Sequence, residues 1–519
     1  MKTSVYIFAV LASVMMAFDS SAQVPLYTAD AVRFSQTDGG GSARFVGLGG
    51  ANVSLGGDIS SISANPAGLG FYNRSSWAIS PVLRLGQFNS TYEGNNNYNV
   101  GGNFQIPNMG FVLQNRFEEY ADSKWISGAF GLAINQKQSF YNNINYNGTV
   151  SQNENGIAYD FTENALTPFL SENGFREFNT RNEIDDVANS NAYTYLAYQT
   201  YLLQTFNTEN NTFLIDRYDF DGDTGGYLTQ SADQRENIDT YSGITTLDVS
   251  YGANYNDKIY IGAALNVNFL NYRMVRSFRE TPDNSFLNYM DLNEETMISG
   301  AGAAFTLGAI YKPINILNVG FSYTSPTFIS MNETQDIAME TFFFFNPETG
   351  EENISYEEEI INEVPSYSLR LPQKVSVGAT TFISKYGFIT ADLEYVDYTS
   401  ARYSSTNGAF DGDVPEVGNN LNSTFNLKVG AEGRLNIFRA RVGYAYFDNP
   451  YKNFNLNRQS ISAGIGIMKK DGFFIDATYR LSSFDNPDFV AYSSSDMSSD
   501  VIRSESDISS FRLTIGKSL

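Results

Sequence analysis

The chain has 519 residues, with 33 Lys and Arg against 57 Asp and Glu for a net charge of −24, and it contains neither cysteine nor histidine. Those absences exclude a disulfide framework, a thiol nucleophile, a Cys- or His-ligated metal centre and an imidazole base for a Ser-His-Asp arrangement, while the acidic balance argues against nucleic acid as a partner. Aromatic residues make up 15% of the chain and charged residues only 17%, against roughly 25% in ordinary soluble domains.

The first 22 residues read as an export address. Lys2 gives a positive start, Val5 to Phe18 is uncharged and apolar, and Ser20-Ser21-Ala22 supplies small residues before Gln23. The apolar stretch is too short to span a bilayer, so a cleaved signal peptide is expected rather than an anchor. Beyond it no run of about 18 apolar residues occurs, which leaves an exported soluble protein or a membrane barrel.

Residues 23–72 form a segment of their own, rich in Gly, Ser and Ala. It includes Gly39-Gly40-Gly41-Ser42-Ala43-Arg44-Phe45-Val46-Gly47-Leu48-Gly49-Gly50-Ala51 and closes on Asn65-Pro66-Ala67-Gly68-Leu69. Small residues and turn formers let such a chain fold against another surface without a core of its own. The glycines are no phosphate loop, because no Gly-Lys-Ser/Thr follows them.

From residue 73 segments of about ten or more residues alternate in polarity between Asn/Asp/Gly turns. In Phe438 to Tyr446, Phe438, Ala440, Val442, Tyr444 and Tyr446 share one face and Arg439, Arg441, Gly443 and Ala445 the other. Ser460 to Met468 and Tyr260 to Phe269 repeat the pattern, and a period of two places alternate side chains on opposite sides of a sheet. Strands are predicted at 75–88, 98–114, 124–140, 241–255, 258–274, 297–311, 314–329, 372–384, 386–402, 422–435, 437–448, 458–469, 472–483 and 506–517. An even count of this size, with short connections at Asn256-Asp257, Lys312-Pro313 and Lys470-Asp471 and long ones elsewhere, predicts an all-β fold: a 14-stranded antiparallel transmembrane β-barrel over 73–519.

The longest connection, about 141–240, is too long to be structureless. Within it Asn191 to Phe206 is expected to be helical, with Ala192, Tyr195, Leu196, Leu202, Leu203 and Phe206 on one face. It caps the barrel or presents an apolar groove. Asp219-Phe220-Asp221-Gly222-Asp223 resembles the start of a calcium loop but has Gln230 where the distal Glu belongs, so an acidic turn is expected. Phe342 to Phe345 and Tyr356-Glu357-Glu358-Glu359 are assigned to loops, the first for packing and the second as a solvated face. No metal or cofactor is called for.

Four stretches taken in order resemble the FadL family of outer-membrane transporters for long-chain fatty acids and other hydrophobic compounds. They are the small-residue segment ending in Asn65-Pro66-Ala67, Ile106-Pro107-Asn108-Met109-Gly110-Phe111-Val112, Asn318 to Pro326, and Leu371 to Ala379 followed by Asp392, Glu394 and Tyr395. The resemblance implies a barrel closed by an N-terminal plug in its lumen. A ligand would be captured between outer loops, held beside the N-terminus and released sideways through the wall. By position, Asn65, Pro66 and Ala67 would touch the inner site, and Val24, Pro25, Leu26 and Tyr27 would be the mobile N-terminus. Asn135-Gln136-Lys137-Gln138-Ser139, where the third strand loses its alternation, would be its kink.

The function so implied is passive transport of hydrophobic small molecules across the outer membrane of a Gram-negative bacterium, by a protein that is no enzyme. Its partners would be the ligand, outer-membrane lipid and, during insertion, the barrel-assembly machinery. An acidic mouth would repel fatty-acid anions, which leaves hydrocarbons and esters open. The alternative is a FadL-like accessory barrel of type IX secretion that binds exported proteins. A lumen with a continuous apolar path would separate the first from the second.

Overall fold

Where outward residues are apolar and inward residues small or polar, the chain builds one sheet that closes on itself. The computed structural model describes residues 26–519 apart from 38–39, 118–122, 152–164, 166–169, 172–173, 176–177, 179–180, 190, 208–212, 218–219, 222–225, 228–230, 284–285, 347–348, 406–416, 455, 487–488 and 491–500. The expected signal peptide, Val24, Pro25 and most of the Asp219–Asp223 turn lie outside the described residues.

The wall consists of β1 (Ser76–Tyr92), β2 (Asn95–Arg116), β3 (Trp125–Ser139), β4 (Asn142–Ser151), β5 (Ser231–Tyr255), β6 (Ile259–Pro282), β7 (Leu287–Ile314), β8 (Leu317–Thr324), β9 (Thr327–Phe345), β10 (Glu352–Leu371), β11 (Lys374–Phe382), β12 (Gly387–Asp397), β13 (Arg402–Ser405), β14 (Ser423–Leu435), β15 (Phe438–Phe447), β16 (Arg458–Met468), β17 (Phe473–Asp485) and β18 (Val501–Ser518). β3 with β4, β8 with β9, β10 with β11, and β12 with β13 are single staves interrupted part-way. The total is therefore fourteen antiparallel staves, closed where β1 pairs with β18 from Ser76↔Ser518 to Thr91↔Arg503. No described helix is long and apolar enough to cross a membrane, and the crossing is made by strands.

The alternation divides the two faces. Phe104, Leu265, Phe305, Val442 and Ile465 are exposed on the outer face, while Asp248, Asn266, Asp392, Glu432, Arg441 and Thr514 are buried on the inner one. A closed sheet with an apolar belt outside and a polar interior is a transmembrane barrel.

Several staves run far past this belt. β7 has 28 residues, although about 9–11 suffice to cross a bilayer. The expected strands end short because the apolar alternation stops where the outer face meets water, not where the ladder stops. Tyr356–Glu359 and Phe342–Phe345 therefore lie on strands, not in loops. Glu357 and Glu359 point outward, and Phe343 is fully buried. The β7–β8 turn is also displaced, falling at Asn315–Ile316 rather than Lys312-Pro313. Asn256 and Asp257 form the β5–β6 turn with φ of 57° and 52°, a left-handed geometry that these two residue types tolerate.

Above the belt the insertion packs a second core. Leu196, Leu202, Phe278, Leu292, Met339 and Phe343 bury one another there. Its helix spans Ala192–Gln199, capped by the Asn191 side chain, and stops earlier than expected. Tyr201 takes φ 59°, and the chain turns into a short strand at Leu203–Asn207, so Leu202 and Leu203 are buried without being helical.

Candidate functional site

Residues 26–72 occupy the lumen as a plug. It comprises α1 (Leu26–Ser35), α2 (Ala43–Gly47), α3 (Ser61–Ala64) and a 3-10 turn over Pro66–Phe71. Asn65 is fully buried. Its side-chain oxygen accepts the Ala67 N–H at 3.1 Å, and its amide nitrogen donates to the Val53 carbonyl at 2.6 Å and the Phe321 carbonyl at 3.2 Å. One side chain thus caps the turn, ties it to the plug and binds it to the wall.

The wall facing this turn is made of glycine. A Cβ on Gly262 would lie 2.4 Å from the Pro66 carbonyl carbon, one on Gly252 2.3 Å from its oxygen, and one on Gly320 2.2 Å from the Val53 oxygen. Gly430 and Gly443 make the same close approach to Leu48. Glycine in a strand interior marks another backbone passing at contact distance. This belt is a plug socket, and its sequence signal is Gly at the inward phase of successive strands.

Buried charge completes the docking. Asp392 accepts the N–H groups of Asn52 at 2.6 Å and Val53 at 2.8 Å. Glu432 takes Arg44 of α2 at 3.3 Å and the wall residues Arg441 at 2.7 Å and Arg434 at 2.6 Å. Arg441 also bonds Asp476 at 2.5 Å. Removing one member of a buried ion cluster leaves its partners uncompensated at a cost of about 3–5 kcal/mol. Glu432→Gln is accordingly expected to lower the urea midpoint and expose the α2 segment to protease, whereas Glu357→Gln on the exposed outer face leaves both unchanged.

Two cavities lie above the socket, one on each side of α1. The lower, of about 210 Å³, is lined by apolar Phe34, Val46, Val53 and Leu371, by Lys137, Lys374, Lys428 and Arg480, and by the carboxylates Asp392 and Glu394. Lys428 is paired with Glu394 at 3.2 Å. Lys137 and Lys374 instead hydrogen-bond neutral oxygens, those of the Asn268 side chain at 3.3 Å and the Ser35 carbonyl at 3.0 Å. The upper cavity, of about 670 Å³, lies beneath the insertion that follows β4 and is lined in part by Tyr141, Tyr193, Met274, Arg276 and Phe489.

Phe34 of α1 packs edge-on against Phe140 and Tyr272 at 5.5 and 5.9 Å between ring centroids, and these rings stand between the cavities. Arg33 stacks on Tyr272 at 4.9 Å and pairs with Asp30. Burial pushes the Asp30 carboxyl up to about 6, opposed by the neighbouring Arg33 guanidinium.

The third stave bends where the alternation fails. Ile244 pairs with Gln138 but Thr245 with Gln136, so Lys137 is an extra residue in the ladder, and β3 ends at Ser139. β2 pairs with β3 from Asn108 to Arg116, and no ladder joins its stretch Asn95 to Pro107 to the described residues of the third stave. β4 leaves the wall's line to lie over the β1–β2 hairpin, with Ser90 bonding the Asn145 carbonyl.

The structure brings some of the expected site residues together and separates others. Asn135 borders the lower cavity and donates to Ser63 of the plug at 2.9 Å. The Gln136 backbone lies against Gly40. Leu26 and Tyr27 open α1, and the Tyr27 carbonyl accepts the Tyr403 hydroxyl at 3.2 Å. Asn65, Pro66 and Ala67 sit in the glycine socket and do not line either cavity. The lysines of the lower cavity were not singled out by the sequence, although Lys137 and Lys374 stand inside two of the stretches that drew notice.

No protein-family model matches the sequence, and no curated protein matches it. Among solved structures, a FadL homologue from Pseudomonas aeruginosa is similar over 93% of this chain and 99% of its own, at 12% identity and a TM-score of 0.53. The toluene transporter TodX of Pseudomonas putida matches 93% of this chain and 100% of its own at 9% identity and a TM-score of 0.48. The CymD monoaromatic hydrocarbon channel matches 94% of this chain and 98% of its own at 11% identity and a TM-score of 0.46. The chain has the FadL-type barrel fold.

Proposed function

We propose that this protein is a passive outer-membrane transporter for slender hydrophobic molecules, with preference for those ending in an anionic group. The observation that carries the reading is the lower cavity, where apolar walls meet three lysines of which, among the described residues, Lys428 alone is in direct contact with a carboxylate. An alkyl chain gains about 0.8 kcal/mol per CH₂ on leaving water, and a ligand carboxylate would give Lys137 and Lys374 a charged acceptor in place of the Asn268 and Ser35 oxygens they now bond. The ligand enters the upper cavity beneath the insertion, passes the ring cluster when α1 yields, dwells in the lower cavity and leaves sideways into lipid. The socketed plug keeps water and ions from following. Paired cavities along the lumen favour this reading over a secretion accessory, which needs a docking surface and no interior space.

Native mass spectrometry with organic extraction of the purified protein tests it. A stoichiometric amphiphile is expected, and it is lost in Ser376→Trp, which fills the lower cavity. A protein empty of small molecules that co-purifies with an exported polypeptide overturns the reading in favour of the accessory barrel.

A further inference from the structure

Two of the stretches singled out in the sequence, Asn318 to Pro326 and Leu371 to Ala379, meet in the wall. Thr324 pairs with Lys374 and Thr327 with Leu371, and the same register sets Ser325 opposite Gln373 and Pro326 opposite Pro372. Neither proline has an N–H, so that rung of the ladder cannot form. The defect extends to both sides. On the β7 side the register slips by one between Thr306↔Thr324 and Ala303↔Phe328. On the β12–β13 side, Arg370↔Arg402 and Lys374↔Val396 bracket three residues against five, with a 3-10 turn at Tyr398–Ser400. Pro372-Gln373 is thus a two-residue stretch of wall with no ladder partner on either side.

This gap joins the lower cavity to the apolar belt. Ser325, Thr327, Leu371, Pro372 and Lys374 line the cavity from within. On the outer face Phe321 and Phe328 are exposed below and above the break. One side-chain bond spans it there, from the Tyr323 hydroxyl to the Gln373 side-chain oxygen at 3.1 Å. The bend in the third stave opens a different space, because Gln138 to Asn142 line the upper cavity.

From this geometry we infer that the proline-framed seam between β8–β9 and β10–β11 is a second lateral door, through which the lower cavity discharges an apolar chain into the bilayer. The inference rests on the transport reading and adds to it the place of exit. A paired wall would lose several ladder bonds to pass a chain, each expensive in lipid. Here the prolines have already removed the bonds of the 326–372 rung, and opening displaces Pro372-Gln373 and the Tyr323–Gln373 contact while Ser325 keeps its backbone bond to Phe305 at 2.9 Å on the β7 side. The anionic end stays with Lys374 at the inner lip until the tail is in lipid.

The absence of cysteine makes the test direct. Tyr323→Cys with Val375→Cys and Phe328→Cys with Arg370→Cys place thiols on directly opposed residues below and above the seam, where a disulfide staples it. Each protein, in nanodiscs, is loaded with a pyrene-labelled long-chain carboxylate, and transfer of the probe into the bilayer is followed. Oxidation is expected to slow transfer roughly tenfold with loading unchanged, and reductant restores it. Pro326→Ile with Pro372→Val, which returns the missing N–H groups, slows transfer in the same direction without any crosslink. Transfer in stapled, fully loaded protein as fast as in the dithiol form overturns the door and leaves the transport reading standing. Reduced protein that does not load the probe overturns both.

Discussion

Lys137→Gln and Lys374→Gln are each expected to weaken binding of a long-chain carboxylate about thirtyfold, and together far more, while binding of the matching alcohol changes less than threefold. A hydrogen bond to a charged group in a water-poor site is worth about 2 kcal/mol, which is a factor of about thirty in affinity. Titration of the purified barrel with the two ligands measures it. Equal losses for acid and alcohol would assign the lysines to shaping the cavity alone. The outer rim should act in the opposite sense on capture. Glu357, Glu359 and Glu363 are exposed on the outer face of β10 above the belt, and like charges slow the approach of an anion until salt screens them over roughly 8–10 Å. The association rate for the carboxylate is therefore expected to rise with ionic strength. A carboxylate-rich mouth and a lysine-lined interior are compatible, since one governs encounter and the other retention. The acidic rim that argued against fatty-acid anions at the level of sequence addresses only the first.

The second large effect is expected at the socket. In Gly262→Ala the new methyl group would meet the Pro66 carbonyl carbon at 2.4 Å, its oxygen at 2.5 Å and the Ala67 nitrogen at 2.6 Å, all of them backbone. Gly262 is itself paired on both sides, to Gly252 and Gly308, so the wall cannot move away. Overpacking of this kind costs about 1–3 kcal/mol or more, and the plug is the part free to yield. Planar-bilayer recordings should show conducting events in the variant and a closed wild type. Gly433→Ala is the control, because nothing lies within 4 Å of its added Cβ. A silent Gly262→Ala with a normal unfolding midpoint would mean that the plug tolerates displacement, and that its seating does not seal the lumen.

Much of the fold is legible in the sequence because lipid is a demanding solvent. A strand crossing it must alternate, must be paired on both sides and must carry its turns outside, so Ser460 to Met468 or Phe438 to Tyr446 can be placed from residue types alone. The count of fourteen follows. The same reasoning fails where the outer face meets water, since nothing then distinguishes a strand from a loop. Tyr356–Glu359 and Phe342–Phe345 are misplaced for that reason, and the helix begun at Ala192 ends early because burial of Leu202 and Leu203 in the core above the belt decides the backbone there.

The candidate site divides in the same way. Lost alternation at Asn135–Ser139 marks the bend of the third stave, because an extra residue in a ladder is a local property of one strand. Asn65-Pro66 marks a tight turn, because side-chain capping and fixed proline φ are local as well. Composition and periodicity alone determined a membrane-spanning barrel with a small-residue segment before it. Only the tertiary structure decided that Gly252, Gly262 and Gly308 form one socket, that Lys137 and Lys374 face one cavity, and that Pro326 stands opposite Pro372. Each of these is a register relation between distant staves, and register is fixed by how the whole sheet closes around its plug.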